Sequence, residues 1–317
     1  PYPRAPLTAL LEMAARRFPD RPACTLYGQH TTFAQLDDLS RRLARALAGL
    51  GARTGRHVGL LLPNIPEYLV ALQAVWLTGA TALQLSPLMV AEEVGHWLEA
   101  TGCTIVVTLD LLAPAVVGAL RRGPLEHLVL TSLARRMAMW RGMLYRFERL
   151  RRAGYLRLPS DAHRHRFDEL IQREPLAEPV PINPAEDVAV LAPTGGTTAS
   201  PKAVMLTHRN LMANALQLRS YCPGRDGAGG ILGVLPFFHS YGLSVGLLTS
   251  WAKGATLHLH PRFEARQVLA LLEEQRPDVM PAVPAMLLAL NKVMRGRPHD
   301  LSFIEMALSG ASALEPD

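Results

Sequence analysis

The chain has 317 residues, of which 49% are hydrophobic and 19% charged, with a formal net charge of +6. This length can bury one large or two medium hydrophobic cores, because a domain usually comprises roughly 100 to 200 residues. Cys24, Cys103 and Cys222 are far apart in the sequence, which excludes a disulfide framework and a Cys-x-x-Cys metal site and favours a reducing, cytoplasmic compartment.

The first clear element is a helix that begins after Thr32. Thr32 and Gln35 form a capping-box signal, in which each side chain can accept a hydrogen bond from the other residue's backbone N–H. Apolar residues then recur every three or four positions, at Phe33, Leu36, Leu39, Leu43 and Leu47. The pattern predicts one amphipathic helix that Gly51 ends.

Short apolar runs later in the chain predict buried strands. They lie at 58–62, 104–108, 127–130, 188–192, 231–235, 256–259 and 306–308. Helical patterns separate most of these runs, and such alternation predicts parallel sheets covered by helices. The apolar stretch 68–90 resembles a membrane span, but polar residues such as Gln73, Thr78 and Gln84 interrupt it. We therefore predict a buried helix followed by a strand, and no transmembrane segment.

Residues 133–158 are unusually basic, with arginines interleaved among methionine, leucine and aromatic residues. Such a segment can lie on an anionic membrane surface, with arginines toward head groups and aromatic rings toward acyl chains. A solvated helix packed on the protein surface explains the same pattern, and both interpretations stay open. Nucleic-acid binding is disfavoured, because the net charge is modest for this length and concentrated in one segment.

Residues 194–202, Thr-Gly-Gly-Thr-Thr-Ala-Ser-Pro-Lys, are rich in groups that bind phosphate. A predicted strand precedes them and an N-cap residue, Thr207, follows, so we expect a loop between a strand and a helix. Glycines let the backbone approach an anion, while hydroxyl groups and a lysine add donors. The candidate phosphate ligands are Thr194, Gly195, Gly196, Thr197, Thr198 and Lys202. The alternative is an ordinary glycine-rich turn, which would need fewer donors.

Histidines offer a second set of candidates. Within the pairs His163/His165 and His258/His260 the residues lie two apart and would share a strand face, but no cysteine or carboxylate pattern completes a zinc site. Packing rather than metal ligation is predicted for both pairs, and no metal ligand is assigned. His239 lies within Phe-Phe-His-Ser-Tyr-Gly, and taken alone it would be interpreted as a packed core residue.

Several of these segments together resemble the adenylate-forming superfamily of acyl-CoA synthetases, luciferases and peptide-synthetase adenylation domains. Thr-Gly-Gly-Thr-Thr at 194–198, followed by Met-Leu-Thr-His-Arg-Asn at 205–210, is most similar to bacterial long-chain fatty acid CoA ligases. Leu-Pro-Phe-Phe-His-Ser-Tyr-Gly at 235–242 and Ser-Gly-Ala-Ser-Ala-Leu at 309–314 resemble further family motifs in the same order. Residues 31–36 and Leu-Leu-Pro-Asn at 61–64 match its N-terminal segments.

The resemblance implies an α/β fold of two doubly wound lobes, each a mostly parallel sheet flanked by helices. Residues 56–225 would form the first lobe with the phosphate loop, and residues 1–55 and 226–317 would form the second. In the family, the part that residues 1–317 resemble is followed by a Tyr-Gly-x-Thr-Glu motif, a ribose-binding aspartate, a hinge and a small domain with a catalytic lysine. We therefore expect the displayed chain to be part of a longer synthetase and a poor catalyst by itself.

The implied reaction is activation of a carboxylic acid, here a fatty acid, by ATP and Mg²⁺ to an acyl-adenylate, followed by thioester formation with coenzyme A. The resemblance places the residues of 194–202 named above on the phosphates, His239 with Lys202 in the catalytic centre, and Gly310, Ala311 and Ser312 against adenine and the acyl chain. Two alternatives stay open. The acceptor can be a carrier protein, or the chain can be a non-catalytic remnant that binds lipid surfaces. Ala199 and Ala203 replace the family's usual glycines, which strains the loop by roughly 1 kcal/mol if positive φ is needed.

Overall fold

The computed structural model describes residues 2–119, 124–137, 139–153, 163–194, 202–296 and 298–314. The strands are β1 (Pro22–Leu26), β2 (Gln29–Thr32), β3 (His57–Leu61), β4 (Thr81–Gln84), β5 (Ile105–Leu109), β6 (His127–Thr131), β7 (His163–Arg166), β8 (Val188–Pro193), β9 (Ala203–Thr207), β10 (Gly230–Gly233), β11 (Thr256–Leu259), β12 (Val279–Ala282) and β13 (Met306–Ser309). The helices are α1 (Thr8–Arg17), α2 (Phe33–Gly49), α3 (Pro66–Leu77), α4 (Ala91–Thr101), α5 (Ala113–Ala119), α6 (Met139–Ala153), α7 (Phe167–Leu170), α8 (His208–Tyr221), α9 (Thr249–Lys253), α10 (Ala265–Gln275) and α11 (Pro284–Met294). A 3-10 turn at Leu133–Arg135 precedes α6, and a π-helix at Gly242–Leu248 leads into α9.

The strands form two mainly parallel sheets. One sheet has the strand order β13-β12-β10-β11-β1-β2, and the other has the order β7-β6-β5-β3-β4-β8-β9. The pairs β1/β2 and β8/β9 are antiparallel, and each adds an edge strand to an otherwise parallel sheet. This arrangement confirms the predicted α/β fold class. The first sheet combines strands from the beginning and the end of the chain; the lobe boundaries near residues 56 and 226 stay predictions.

Most of the predicted elements lie where the sequence indicates. The Thr32/Gln35 capping box starts α2, with Gln35 N–H donating to Thr32 Oγ1 and Thr32 N–H donating to Gln35 Oε1. Strand β11 has the predicted bounds 256–259, and β3 is displaced by one residue from 58–62. The stretch 68–90 contains α3 and β4, as predicted. Across the described residues, no helix combines the length and apolar character that crossing a membrane requires.

One prediction was wrong. The loop 194–202 does not lead directly into a helix, because β9 lies between it and α8 and pairs antiparallel with β8. Strand β9 is short and sits at a sheet edge, where Val204 and Met205 are exposed. The apolar run at 203–206 was the available signal for this strand, and it was not assigned to one. The predicted N-cap is correct, since Thr207 Oγ1 accepts from Asn210 N–H at the start of α8.

The core of the molecule is centred on α3. Every residue of this helix is buried, and it contacts β1 of one sheet and β3 and β4 of the other. A helix that is apolar on all sides is stable only when it is covered on all sides. The Trp76 ring of α3 packs edge-on against the Trp251 ring of α9, with centroids 6.4 Å apart. One continuous hydrophobic cluster thus joins the two sheets.

Candidate functional site

The ends of the glycine-rich loop are held together by strand pairing. The backbone N–H and the hydroxyl of Thr194 both donate to the carbonyl oxygen of Lys202, each at 2.9 Å. Both residues are exposed at the mouth of the β8–β9 hairpin. Gly195, Gly196, Thr197, Thr198 and Ala199 lie outside the described residues. The structure therefore describes the two ends of this loop, Thr194 and Lys202.

A buried amide fixes the segment that precedes His239. Asn64 is 2% exposed and follows β3 in the Leu-Leu-Pro-Asn motif. Its Nδ2 donates to the carbonyl oxygens of Gly233, at 3.0 Å, and Leu235, at 2.8 Å, while its Oδ1 accepts from Phe237 N–H at 3.1 Å. Breaking these hydrogen bonds would leave buried polar groups unpaired, which costs folding free energy. This one side chain therefore holds the 235–242 motif against the opposite sheet.

Tyr68 and Gln84 extend the same network. The Tyr68 hydroxyl lies 2.6 Å from Gln84 Oε1 and 3.1 Å from the Phe237 carbonyl oxygen, and the Tyr68 and Phe237 rings are 5.6 Å apart. Gln84 is 2% exposed, and its Nε2 has no hydrogen-bond partner among the described residues. The sequence marked Gln84 only as an interruption of an apolar stretch. Its polar character between buried apolar neighbours was the available signal.

A cavity of about 780 Å³ lies beside this network. Thr194 and His239 both line it, so the start of the glycine-rich loop and the motif histidine border one space. The remaining lining residues are Gln84, Ser86, Leu88, Met89, Val90, Glu92, Glu93, His96, Trp97, Pro193 and Phe238. The His239 ring lies 4.4 Å from the Phe238 ring, and partial burial lowers the pKa of His239. A neutral imidazole is therefore favoured at the cavity wall.

The turn at 309–314 approaches the same motif from the other side. The Tyr241 hydroxyl donates to the Leu308 carbonyl oxygen at 2.9 Å. A Cβ atom placed on Gly310 would lie 2.7 Å from Tyr241 Cζ, so only glycine fits without displacing the ring. Ala311 has a φ of +70°, in the left-handed region. The structure thus brings Gly310 to the 235–242 motif, whereas Lys202 and residues 310–312 are not among the described residues that line the 780 Å³ cavity.

Several other histidines contact neighbouring side chains or backbone groups. His208 is 1% exposed, accepts from Leu7 N–H at Nδ1, 3.3 Å away, and lies edge-on to Trp76. His258 is buried with its Nδ1 3.0 Å from Thr25 Oγ1, and His165 Nε2 lies 3.2 Å from His127 Nδ1. Within the ranges that the structure describes, no group of three or more histidine, cysteine or carboxylate side chains could hold a metal ion.

Comparison with known proteins shows which family the chain resembles. Residues 11–317 match the family model described as AMP-binding enzyme. The chain is 31% identical over 317 residues to a long-chain-fatty-acid–CoA ligase of Bacillus subtilis, covering 99% of this chain and 56% of that protein. It is 32% identical over 297 residues to 4-coumarate–CoA ligase 1 of rice (Oryza sativa subsp. japonica), covering 90% of this chain and 48% of that protein. The chain thus spans about half the length of the curated relatives it matches.

Solved structures show the same fold. A crystal structure of a long-chain-fatty-acid-CoA ligase from Archaeoglobus fulgidus matches with a TM-score of 0.82 and 25% identity, over 100% of this chain and 59% of that one. The N-terminal domain of FACL13 from Mycobacterium tuberculosis matches with a TM-score of 0.78 and 24% identity, over 98% of this chain and 71% of that one. At that identity, the second match concerns the fold alone.

Proposed function

Because this chain belongs to the AMP-binding enzyme family, we propose that it activates a carboxylic acid with ATP and transfers the acyl group to coenzyme A. The cavity of about 780 Å³ supports this assignment, since Thr194 of the glycine-rich loop and His239 both border it. A carboxylate held in that space would lie between the loop that can bind phosphates and the motif histidine. The relatives named above are acid–CoA ligases, which is the same class of reaction.

The chemistry explains why phosphate ligands and an acid site must adjoin. A carboxylate is a poor electrophile until one of its oxygens becomes part of a leaving group. Its oxygen attacks the α-phosphorus of ATP, the bond to pyrophosphate breaks, and a mixed anhydride with AMP forms. The thiolate of coenzyme A then attacks the acyl carbon and AMP leaves. Both steps depend mainly on positioning and on stabilisation of charge, and Mg²⁺ accompanies ATP to offset its phosphate charge.

The chain's own residues take three roles in this proposal. Thr194, Gly195, Gly196, Thr197, Thr198 and Lys202 bind the β- and γ-phosphates. His239, whose pKa is lowered by partial burial, shapes the junction between nucleotide and acid as a neutral group. Gly310, Ala311 and Ser312 contact adenine and the acyl chain, supported by the approach of Gly310 to Tyr241. Asn64, Tyr68 and Gln84 position the segment that carries His239.

We propose a fatty acid as the substrate, as in the Bacillus relative, with an aryl acid such as coumarate as the alternative that the rice relative represents. The direct test is carboxylate-dependent exchange between ATP and pyrophosphate with a panel of fatty and aryl acids. Residues 1–317 and the longest available form of the protein are compared. Exchange with fatty acids supports the proposal. A folded long form that exchanges with no acid contradicts it and favours the non-catalytic alternative.

Two controls sharpen this experiment. His239→Ala is expected to lower exchange on the order of a hundredfold, because misplacement of reacting groups costs that much. His30→Ala, at an exposed position of the edge strand β2, should leave exchange unchanged. Transfer of the activated acyl group is then measured to coenzyme A and to a carrier protein in parallel, and carrier loading without thioester formation would replace coenzyme A as the acceptor.

We also propose that the enzyme works in the cytoplasm and contacts membranes peripherally through residues 133–158. Its fatty acid substrate partitions into lipid, and α6 within this segment exposes Phe147 and Leu144 to solvent. Such a contact would bring the enzyme to the phase in which its substrate is concentrated.

A further inference from the structure

Helix α6 presents an apolar face to solvent. Met143 is 59% exposed, Leu144 60%, Phe147 68% and Leu150 52%. At 3.6 residues per turn these four positions share one side of the helix, opposite the buried Gly142 and Tyr145. The Tyr145 hydroxyl donates to Asp110 Oδ1 and so fixes the rotation of the helix. A contiguous exposed patch of large apolar side chains marks an interaction surface.

An arginine-lined cavity of about 490 Å³ adjoins this helix. Arg146 comes from α6, whereas Arg164 and Arg166 come from β7. The other lining residues are Asp110, Leu130, Thr131, Ser132, Ala134 and Asp168. Three guanidinium groups and two carboxylates line the cavity, Asp110 accepts from Tyr145, and Arg166 also forms an ion pair with Glu169, with Nη1 3.2 Å from Oε1. The lining thus has one more guanidinium group than carboxylates, and guanidinium groups with nearby hydroxyl donors suit a phosphate group.

Along the sequence, the positive charge is concentrated in the segment that contains α6. Residues 133–158 contain eight arginines and one glutamate, a net charge of +7, whereas the whole chain carries +6. The remainder of the chain is therefore close to neutral. Positive charge alone would also suit a nucleic acid, but a duplex offers no apolar phase to cover Phe147 and its neighbours. A lipid bilayer with anionic head groups matches both the charge and the exposed apolar side chains.

We propose that α6 and the arginine-lined cavity together form a docking surface for an anionic phospholipid membrane. Met143, Leu144, Phe147 and Leu150 enter the boundary between head groups and acyl chains. Arg146, Arg164 and Arg166 bind the phosphate of one lipid head group. This assignment rests on the proposed membrane contact, which it deepens by naming the lipid class and the residues that bind it, and it is independent of the adenylation chemistry.

Co-sedimentation with vesicles tests the docking surface. The folded protein is expected to bind vesicles that contain phosphatidylglycerol and to bind phosphatidylcholine vesicles much more weakly. The double variant Arg164→Gln/Arg166→Gln should lower binding about twenty-fivefold, since each arginine near an anionic surface contributes roughly fivefold. Leu144→Ser/Phe147→Ser should abolish it. The matched control Arg53→Gln/Arg56→Gln changes the net charge equally at an exposed turn before β3 and should leave binding nearly unchanged.

The other outcomes separate the parts of the proposal. If Leu144→Ser/Phe147→Ser loses binding while Arg164→Gln/Arg166→Gln keeps it, the head-group site is wrong and only the apolar contact stands. If glycerol phosphate binds through Arg164 and Arg166 but vesicles do not, the cavity serves a free phosphate compound and the membrane assignment falls. Tight binding of duplex DNA in place of vesicles also overturns it. Circular dichroism checks folding, and ATP–pyrophosphate exchange without vesicles should be equal in all variants, which separates failure here from failure of the ligase proposal.

Discussion

At the scale of single residues, Asn64 links the two sheets. It satisfies the carbonyl groups of Gly233 and Leu235 and the N–H group of Phe237 from the opposite sheet. Asn64→Ala is expected to lower the free energy of unfolding by roughly 2 to 4 kcal/mol, because buried polar groups lose their partners. It should also lower adenylation by displacing His239. Urea denaturation and ATP–pyrophosphate exchange measure the two effects, and Asn291→Ala on an exposed face of α11 is the control. Full stability in Asn64→Ala would contradict this role.

The contact between Gly310 and Tyr241 makes a second prediction. Gly310→Ala places a methyl group 2.7 Å from Tyr241 Cζ and should break the hydrogen bond from Tyr241 to the Leu308 carbonyl oxygen. We expect a loss of about 1 to 3 kcal/mol in stability, which is typical of overpacking. Tyr241→Ala removes the ring, so adding Gly310→Ala to it should cost little more. Additive losses in the double variant would show that the clash is not the cause. Gly49→Ala, whose Cβ would meet its nearest atom at 3.9 Å, is the control.

Two buried histidines predict how stability depends on pH. Burial lowers the pKa of His208 to about 4, with Asp187 opposing the shift, and burial likewise lowers the pKa of His258 to about 4. The unfolded chain therefore binds more protons than the folded one between about pH 6.5 and 4. Stability is complete above that window and is lost as the pH falls through it, by up to roughly 3 kcal/mol for each histidine.

The variant His208→Gln separates this contribution from the rest. It keeps an acceptor for Leu7 N–H but cannot be protonated, so the slope of unfolding free energy against pH should fall by the contribution of one histidine. Urea denaturation at several values between pH 7 and pH 5 measures the slope. His30→Gln, at an exposed position, should leave the slope as it is in the parent chain. An unchanged slope in His208→Gln would mean that other groups control the acid transition.

At the scale of elements, the edge strand β9 predicts a solubility effect. Met205 is 63% exposed on this strand, whose outer side pairs with no other strand in the sheet order. Met205→Lys is expected to change the free energy of unfolding by less than about 0.5 kcal/mol and to reduce aggregation, because a charge on an edge strand opposes pairing between molecules. Light scattering at increasing concentration measures the effect. Met13→Lys, at an exposed position of α1, should have little influence, and equal effects from both would contradict an edge mechanism.

The elements also show how far sequence alone can predict this fold. Strand β3 is a mostly apolar run, and the capping boxes at Thr32 and Thr207 are local signals, so these were predictable. Strand β9 was not predicted, because a run of four apolar residues between a loop and a helix N-cap does not by itself distinguish a strand from a connection. Thr194 and His239 were singled out by their motifs, but the cavity between them depends on contacts such as Asn64 with Phe237, 173 residues apart. Contacts at that separation leave no periodic signal.

At the scale of the whole molecule, the central helix α3 predicts that both sheets unfold together. Trp76 of α3 and Trp251 of α9 belong to one hydrophobic cluster that includes residues of both sheets. A hydrophobic cluster shared by both sheets favours one cooperative transition. Fluorescence and far-ultraviolet circular dichroism should therefore give coincident urea transitions in the parent chain and in the variants Trp76→Phe and Trp251→Phe.

The two tryptophan variants should nevertheless lower the free energy of unfolding by different amounts. Trp76 Nε1 donates to the Ala189 carbonyl oxygen at 2.9 Å, whereas Trp251 Nε1 is buried without a partner among the described residues. Trp76→Phe leaves a carbonyl group unpaired and should be the more destabilising change, by about 1 kcal/mol or more. The double variant should show a coupling of about 0.5 to 1.5 kcal/mol, as edge-on aromatic pairs do. Separate transitions for the two probes, or zero coupling between Trp76 and Trp251, would contradict this prediction. Either result would mean that the sheets unfold independently and that α3 stabilises only one of them.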